Sequence, residues 1–157
     1  MGEVAKEPLY GAFRAIDGDS IRGARLEIRL EGIDAPELHQ SCEDAGGHPY
    51  ACGLEAKAAL HEIIAGRTLS CSSRGRDKYG RTLAFCKAGD LDINGEMVRQ
   101  GWAIAFMTVS FRYSWLELEA RREGRGIWRG RFDNPQDWRA RHRAVRGNLA
   151  GEPSIDD

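Results

Sequence analysis

The sequence lacks a long apolar run, and this absence excludes a membrane-spanning helix. Its 157 residues are 41% hydrophobic and 30% charged, which is the composition of a single domain with a packed core. Cysteine pairs of the form C-x-x-C are also absent, and this disfavours the usual kind of zinc site. No apolar stretch lies among the first nine residues, so a signal peptide is not visible there. We therefore expect a protein that has no membrane association.

The chain has almost no net charge, and its value of −1 is not typical of a general polyanion binder. The charges are nevertheless segregated. Residues 1–62 carry a net −6, residues 67–81 carry +4 and residues 121–146 carry +6. Acids that hold a cation, beside arginines that hold an anionic group, would produce this distribution. For the last segment alone, a solvated helix face with an arginine-rich tail is an equally good interpretation.

Short strands dominate the first half of the chain. Leu26, Ile28 and Leu30 alternate with charged residues, which is the period of a half-buried strand. Alternation and turn residues predict strands over 10–16, 20–22, 25–31, 68–72 and 82–87. Helical spacing and terminal glycines predict helices over 54–65, 94–100 and 114–123.

Asn94 is a plausible N-cap of the second predicted helix. We expect residues 102–109 to be extended. This order of elements suggests a mainly β protein with helices. Its fold would be a five-stranded Greek-key barrel of the oligonucleotide-binding (OB) type with three α-helices.

Four cysteines are present, Cys42, Cys52, Cys71 and Cys86. Their even number and local pairing suggest one bridge around a glycine-containing loop and one across two neighbouring strands. Such bridges would require an oxidising compartment. The alternative is four reduced, partly buried thiols in a cytosolic protein.

Three motifs give a more specific indication: DGDS at residues 17–20, RLEGIDAPE at 29–37 and DKYGR at 77–81. In this order and spacing they resemble the thermonuclease (staphylococcal nuclease) family. The resemblance extends over residues 10–130 and implies one OB domain there. We expect an arginine-rich extension over 131–146 and a flexible tail over 147–157. The family resemblance further implies a monomer that hydrolyses DNA and RNA phosphodiesters with the help of calcium.

The resemblance implies a calcium site formed by the carboxylates of Asp19 and Asp34 and the backbone carbonyl of Ala35. Calcium is a hard ion that takes oxygen ligands. Threonine occupies the third position in the family prototype, and a backbone ligand tolerates the change to alanine. Taken alone, the two aspartates are more typical of short side chains that cap turns.

Three further residues match catalytic positions of the family. Glu37 would orient or deprotonate the attacking water, although an exposed loop acid is the alternative. Arg29 points away from its apolar neighbours in the strand, and its forked guanidinium could grip phosphate oxygens. Arg81 could stabilise charge on the leaving-group side, because arginine does not readily give up a proton. For each arginine alone, a surface salt bridge is the alternative.

Substrate contacts are implied for three residues. Lys78 and Tyr79 match positions that touch the terminal phosphate of a nucleotide. Phe106 aligns near a family tyrosine that stacks on the base, and phenylalanine would keep the aromatic face.

The four cysteines and the segment of residues 132–139 resemble those of an exported bacterial branch of the family. We therefore expect a secreted or periplasmic protein whose signal peptide has been removed.

Two other functions remain open. Some nuclease-like OB domains have lost their acids and arginines and only bind nucleic acid or protein, but here Asp19, Arg29, Asp34, Glu37 and Arg81 are all present. A third interpretation is an accessory factor of an exported-polysaccharide pathway.

The arginine-rich segment of residues 129–146 has a testable role. Phe132, Pro135 and Trp138 would anchor residues 129–146 beside the third helix, with the arginines facing outward to extend the substrate track. Truncation after Trp128 should then weaken binding of long DNA and flatten its salt dependence, because fewer counterions are released. Filter binding over a salt series measures both quantities. An unchanged salt slope would mean that the segment serves only packing or solubility.

Overall fold

The computed structural model of this protein describes the backbone of residues 8–106 and 111–151, and the side chains of these ranges as far as residue 143. The described strands are short and come mostly before the middle of the chain. They are β1 (Leu9–Gly11), β2 (Arg14–Asp17), β3 (Ser20–Arg22), β4 (Glu27–Leu30), β5 (Ile33–Asp34), β6 (Cys42–Glu43), β7 (Pro49–Tyr50), β8 (Leu69–Arg76), β9 (Thr82–Ala88), β10 (Leu91–Asp92) and β11 (Ile104–Ala105).

The helices lie between and after these strands. They are α1 (Cys52–Ile64), α2 (Ile93–Arg99), α3 (Ser114–Glu123) and α4 (Pro135–Gly151), with a 3₁₀ turn at Gly126–Arg129. No helix in the described part of the chain is long and apolar enough to cross a membrane.

The main sheet has the strand order β1-β8-β9-β4-β3-β2, and β10 also pairs with β9. Its pairings are antiparallel except that of β4 with β9, which is parallel and sets Arg29 opposite Leu83. The sheet curls into a half-barrel, so the predicted class, mainly β with helices and OB-like, is confirmed. Two short ladders, β5 with β11 and β6 with β7, lie outside the main sheet.

Several predicted elements need correction. The single strand expected over 10–16 is two strands, and a register shift between Ala15 and Asp17 further bends the second. In the region 102–109, Ile104–Ala105 is a strand and residues 107–109 lie outside the described ranges. The number of α-helices is also wrong, because the described residues contain four and the prediction had three. The fourth helix was missed because its polar, arginine-rich sequence is also typical of a solvated extension.

The core fills the space between the sheet and the helices. Ile21, Ile28 and Leu30 from the sheet are fully buried, as are Leu60 of α1 and Met97 of α2. Leu26, Ile28 and Leu30 were predicted to share one face, and Leu26 packs partly buried against this core. The period-two pattern of β4 therefore leaves Arg29 on the opposite face.

Both expected disulfides are present. One joins Cys42 to Cys52 and the other joins Cys71 to Cys86, and the described part of the chain contains no free cysteine. The first bond ties the loop before α1 to the start of that helix. The second links β8 to β9, where the two residues are register partners.

Asn94 is not the N-cap that the sequence indicated. The cap of α2 is Asp92, which accepts a hydrogen bond from the Gly95 amide at 3.2 Å. Asn94 is instead fully buried. Its side-chain oxygen accepts from the Cys86 amide at 3.0 Å, and its amide nitrogen donates to the Glu31 carbonyl at 2.8 Å and to the Ala84 carbonyl at 3.1 Å. Asn94 therefore joins α2 to β9 and to the chain that follows β4.

We predict that Asn94→Ala destabilises the fold. It would leave the Cys86 amide and the Glu31 carbonyl without this partner, and each such buried group costs free energy. The expected loss in free energy of unfolding is about 2–4 kcal/mol. Urea unfolding of the oxidised protein measures it, with the exposed turn variant Asp90→Ala as control. Equal stability of both variants would contradict this role.

Candidate active site

A cavity of about 870 Å³ collects residues from all three sequence motifs. Its walls come from the β2–β3 turn, the strand β4, the segment after β5, the loop before β9, and α4. The predicted site residues that line it are Asp19, Arg29, Glu37, Lys78, Tyr79, Arg81 and Phe106. Residues far apart in the chain thus meet in one pocket, and Asp34 and Ala35 lie directly behind it, in contact with its residues.

The first motif forms a tight turn that holds Asp19. The Asp17 carboxylate accepts a hydrogen bond from the Asp19 amide at 3.0 Å. Gly18 between them has no room for a side chain, because a Cβ there would lie 2.7 Å from the Cβ of Ala35 and 2.8 Å from that of Ala56. This close approach lets the Ala35 amide donate to Asp19 Oδ2 at 2.8 Å. One hydrogen bond therefore links the first two motifs.

Arg29 lies between the two aspartates that were expected to bind metal. Its Nη2 is 3.3 Å from Asp19 Oδ2 and 3.4 Å from Asp34 Oδ1. Its Nη1 donates to the Leu30 carbonyl at 2.6 Å. The Asp34 side chain is only 1% exposed, so its charge has to be neutralised by neighbouring groups rather than by water.

The acids of the pocket crowd one another. Burial, together with the neighbouring Asp19 carboxylate, raises the pKa of Asp17 to about 7. Burial also raises the pKa of Asp34 above its usual range, against the opposing effect of Arg139 and Arg29. Burial is the main cause of both shifts, and it disfavours the ionised form of each carboxylate. A cation held against these oxygens would favour the ionised form.

Arg81 is positioned by the turn of the third motif. Asp77 Oδ1 accepts the amides of Tyr79 and Arg81, each at 2.9 Å, and Asp77 Oδ2 accepts from Arg81 Nε at 2.8 Å. The Nη1 atom of Arg81 lies 3.3 Å from the Ser20 hydroxyl, next to Asp19. Arg81 directly precedes β9, the parallel neighbour of β4, and both Arg29 and Arg81 line this pocket.

The residues expected to touch substrate lie at the pocket's edge. Tyr79 is 69% exposed, and the charged groups of Lys78 and Arg81 lie 5.2 Å and 5.7 Å from its ring centroid. Phe106 is half-buried, and its amide donates to the Gly32 carbonyl at 2.8 Å. Two aromatic surfaces therefore border the pocket.

The C-terminal helix supplies an unexpected residue, Arg139. Its Nη1 and Nη2 atoms donate to the two carboxylate oxygens of Asp34, both at 3.0 Å, and Nη1 also donates to Glu37 Oε1 at 2.7 Å. The expectation that the arginines of this segment all face outward is therefore wrong for Arg139. Gln136, Arg139 and Arg143 line the cavity together, and their i, i+3, i+7 spacing was the one sequence signal that could have identified this face.

The packing of α4 explains why Arg139 turns inward. The side chain of Gln40 accepts from the Glu37 amide at 3.1 Å and donates to the Asp133 carbonyl at 2.8 Å. Pro135 is buried at the start of the helix, and the rings of Phe132 and Trp128 pack edge to face with centroids 4.8 Å apart. These contacts hold the beginning of α4 against the segment that carries Glu37.

The donors of this pocket suit a hard cation. Asp19 and Asp34 offer carboxylate oxygens, and such ions complete their shells with backbone oxygens, water or phosphate. Within the described residues, no group of three or more His, Cys, Asp or Glu side chains converges as a full metal cage. An open site of two carboxylates with room for other oxygen ligands is the arrangement that these residues allow.

Comparison with known proteins identifies the family. The model of the family described as "Staphylococcal nuclease homologue" matches residues 27–130. The "Succinoglycan biosynthesis protein ExoI" of Rhizobium meliloti is 38% identical over 128 residues, which cover 80% of this chain and 67% of that protein. An "Uncharacterized endonuclease" of Escherichia coli O157:H7 is 32% identical over 137 residues, covering 83% and 82%.

A third relative is a longer protein. The "Probable staphylococcal-like nuclease CAN2" of Oryza sativa is 33% identical over 131 residues, which cover 82% of this chain and 33% of the rice protein. The chain thus spans about a third of that relative. Because the family match covers well over half of this chain and includes Arg29, Asp34, Glu37 and Arg81 of the pocket, the chain belongs to the staphylococcal nuclease homologue family.

Proposed function

We propose that this protein is a calcium-dependent nuclease that hydrolyses the phosphodiester bonds of DNA and RNA. The observation that carries the proposal is the convergence of Arg29, Arg81, Glu37 and Asp19 in one cavity, with Asp34 directly behind it and paired with Arg29. The proposal draws further support from the family and from relatives whose names describe nucleases and endonucleases.

The two arginines match the electrostatic demand of the reaction. A phosphodiester is an anion, and its charge increases on the equatorial and leaving oxygens as water attacks. Arg29 is held against the carboxylates by the strand and can grip non-bridging oxygens with its planar fork. Arg81 is held by Asp77 and can stabilise the leaving oxygen without any proton transfer.

Glu37 is the group that can act on water. It belongs to the segment after β5, is half-buried, and lines the cavity beside Asp19 and Arg29. A carboxylate in this position can orient an attacking water by hydrogen bonding and accept its proton. Glu37 therefore takes the role of water-positioning residue and general base.

Calcium would be held by the carboxylates of Asp19 and Asp34 and by the carbonyl of Ala35. When bound, it supplies positive charge to the phosphate and acts as a Lewis acid. The hydrogen bond from the Ala35 amide to Asp19 fixes the two segments relative to each other before any ion binds. That preorganisation supports a site built for an ion rather than a chance group of acids.

The edge of the pocket suits a nucleic acid without preference for its sugar. Tyr79 and Phe106 present aromatic faces on which any base can stack. Lys78 can reach a terminal phosphate, and Gln136 and Arg143 of α4 extend the wall towards longer substrates. These contacts support DNA and RNA as substrates, with α4 as part of the substrate track.

The two disulfides support a location outside the cytoplasm, either secreted or periplasmic, because such bonds persist in oxidising compartments. We propose that the protein acts there as a monomer.

A non-catalytic binding module would not need both arginines and Glu37 directed into the same cavity as Asp19.

We predict that nuclease activity requires calcium. Activity on DNA and RNA should vanish in excess chelator and return when calcium is added, because the two aspartates cannot supply positive charge themselves. Magnesium should restore little activity, since it retains its waters and demands a tighter octahedron. Release of acid-soluble nucleotides measures the effect. Full activity in chelator would contradict calcium dependence.

We further predict that Arg29→Ala, Glu37→Ala and Arg81→Ala each lower kcat by about a hundred- to a thousand-fold, the usual effect of removing one charge-stabilising group. Circular dichroism should show that each variant remains folded. Arg67→Ala, at an exposed arginine after α1, is the matched control and should keep wild-type turnover. Three folded and fully active variants would refute the assigned roles.

A further inference from the structure

We propose that Arg139 is a tethered competitor for the cation site, so that calcium binds by displacing its guanidinium from Asp34 and Glu37. This inference rests on the proposed calcium site and adds a residue that sets the affinity of that site. It assigns to α4 a direct influence on the metal requirement.

The geometry of Arg139 is that of a substitute cation. Its guanidinium uses two nitrogens to contact both carboxylate oxygens of Asp34, each at 3.0 Å. The same group bridges to Glu37 Oε1 at 2.7 Å. A calcium ion on Asp34 would need at least one of these oxygens and would meet a like charge at contact distance. The ion and the guanidinium therefore cannot occupy these oxygens together.

Asp34 explains why some cation is always needed. Its side chain is 1% exposed. Arg29, which also pairs with Asp19, lies 3.4 Å from it. An ionised carboxylate at such depth is costly when it is unpaired. In the absence of metal, Arg139 meets this need with two parallel, charge-assisted hydrogen bonds.

Arg139 can leave without unfolding the helix that carries it. Its side chain is 30% exposed, so a path to solvent exists. The start of α4 is held separately, by Gln40 on the Asp133 carbonyl and by the burial of Pro135. A displaced Arg139 would remain on the helix face that lines the cavity with Gln136 and Arg143. Its positive charge would stay near the place where an anionic substrate binds.

Calcium titration of the metal-free full chain tests the competition directly. Isothermal calorimetry is compared for wild type, Arg139→Gln and the control Arg141→Gln, an exposed neighbour on α4 that pairs with Asp133. We expect Arg139→Gln to bind calcium about tenfold more tightly, a typical size for coupling between two ligands. Arg141→Gln should bind like wild type. Unchanged or weaker binding by Arg139→Gln would overturn the inference.

Thermal unfolding supplies a readout that a simple structural salt bridge would not produce. In chelator, Arg139→Gln should have a lower Tm than wild type, because Asp34 loses its counter-ion. In saturating calcium the two midpoints should coincide, since the ion then neutralises Asp34 in both proteins. An equal loss of Tm in both conditions would mean that Arg139 is only a structural contact, and the inference would be wrong.

A second variant covers the case in which Arg139→Gln does not fold without metal. Arg139→Lys keeps the charge but cannot make the two parallel hydrogen bonds, so it should also bind calcium more tightly than wild type. If wild type and variants all bind no calcium, the proposed calcium site fails and the competition fails with it. If all bind calcium equally, the site stands and only the role of Arg139 is refuted.

Discussion

The need to neutralise Asp34 is the constraint on which the rest of the site depends. This carboxylate lies almost out of contact with solvent, next to Asp19 and close to Glu37. Burial raises its pKa and so works against its ionised form. Arg29 from β4 and Arg139 from α4 supply positive charge beside it, and in our proposal a calcium ion does so when it displaces Arg139.

The fold brings together the distant segments that carry these side chains and holds them in fixed positions. Gly18 lets the β2–β3 turn touch Ala35, and the Ala35 amide then fixes Asp19. The parallel pairing of β4 with β9 places Arg29 of β4 near Arg81, which directly precedes β9. Asn94 ties the two strands to α2 through three hydrogen bonds, two of them buried. Precise placement of charged groups before the substrate arrives is what electrostatic catalysis requires.

Helix α4 contributes directly to the site. Without α4, the pocket would be an open group of acids with two arginines on one side. With α4, a third arginine engages the acids, and the same helix face forms part of the cavity wall. In our proposal, α4 thus sets the cation affinity of the site through the single side chain of Arg139. The anchor of this helix is Gln40, a buried residue of the segment that also carries Glu37 and that leads into the Cys42–Cys52 disulfide.

Local sequence patterns determined much of this protein. The alternation in β4 predicted which face Arg29 occupies, alternation and turn residues predicted most of the strands, and the even number and local pairing of the cysteines suggested the two bridges that the structure contains. Only the tertiary structure decided the burial of Asn94, the existence of α4 and the inward direction of Arg139. Arg139 and Asp34 are separated by 105 positions, and the polar sequence of α4 does not show which segment its arginines contact. Local periodicity reports how a segment is solvated, whereas a charge pair across the chain depends on where the folded backbone brings two segments together.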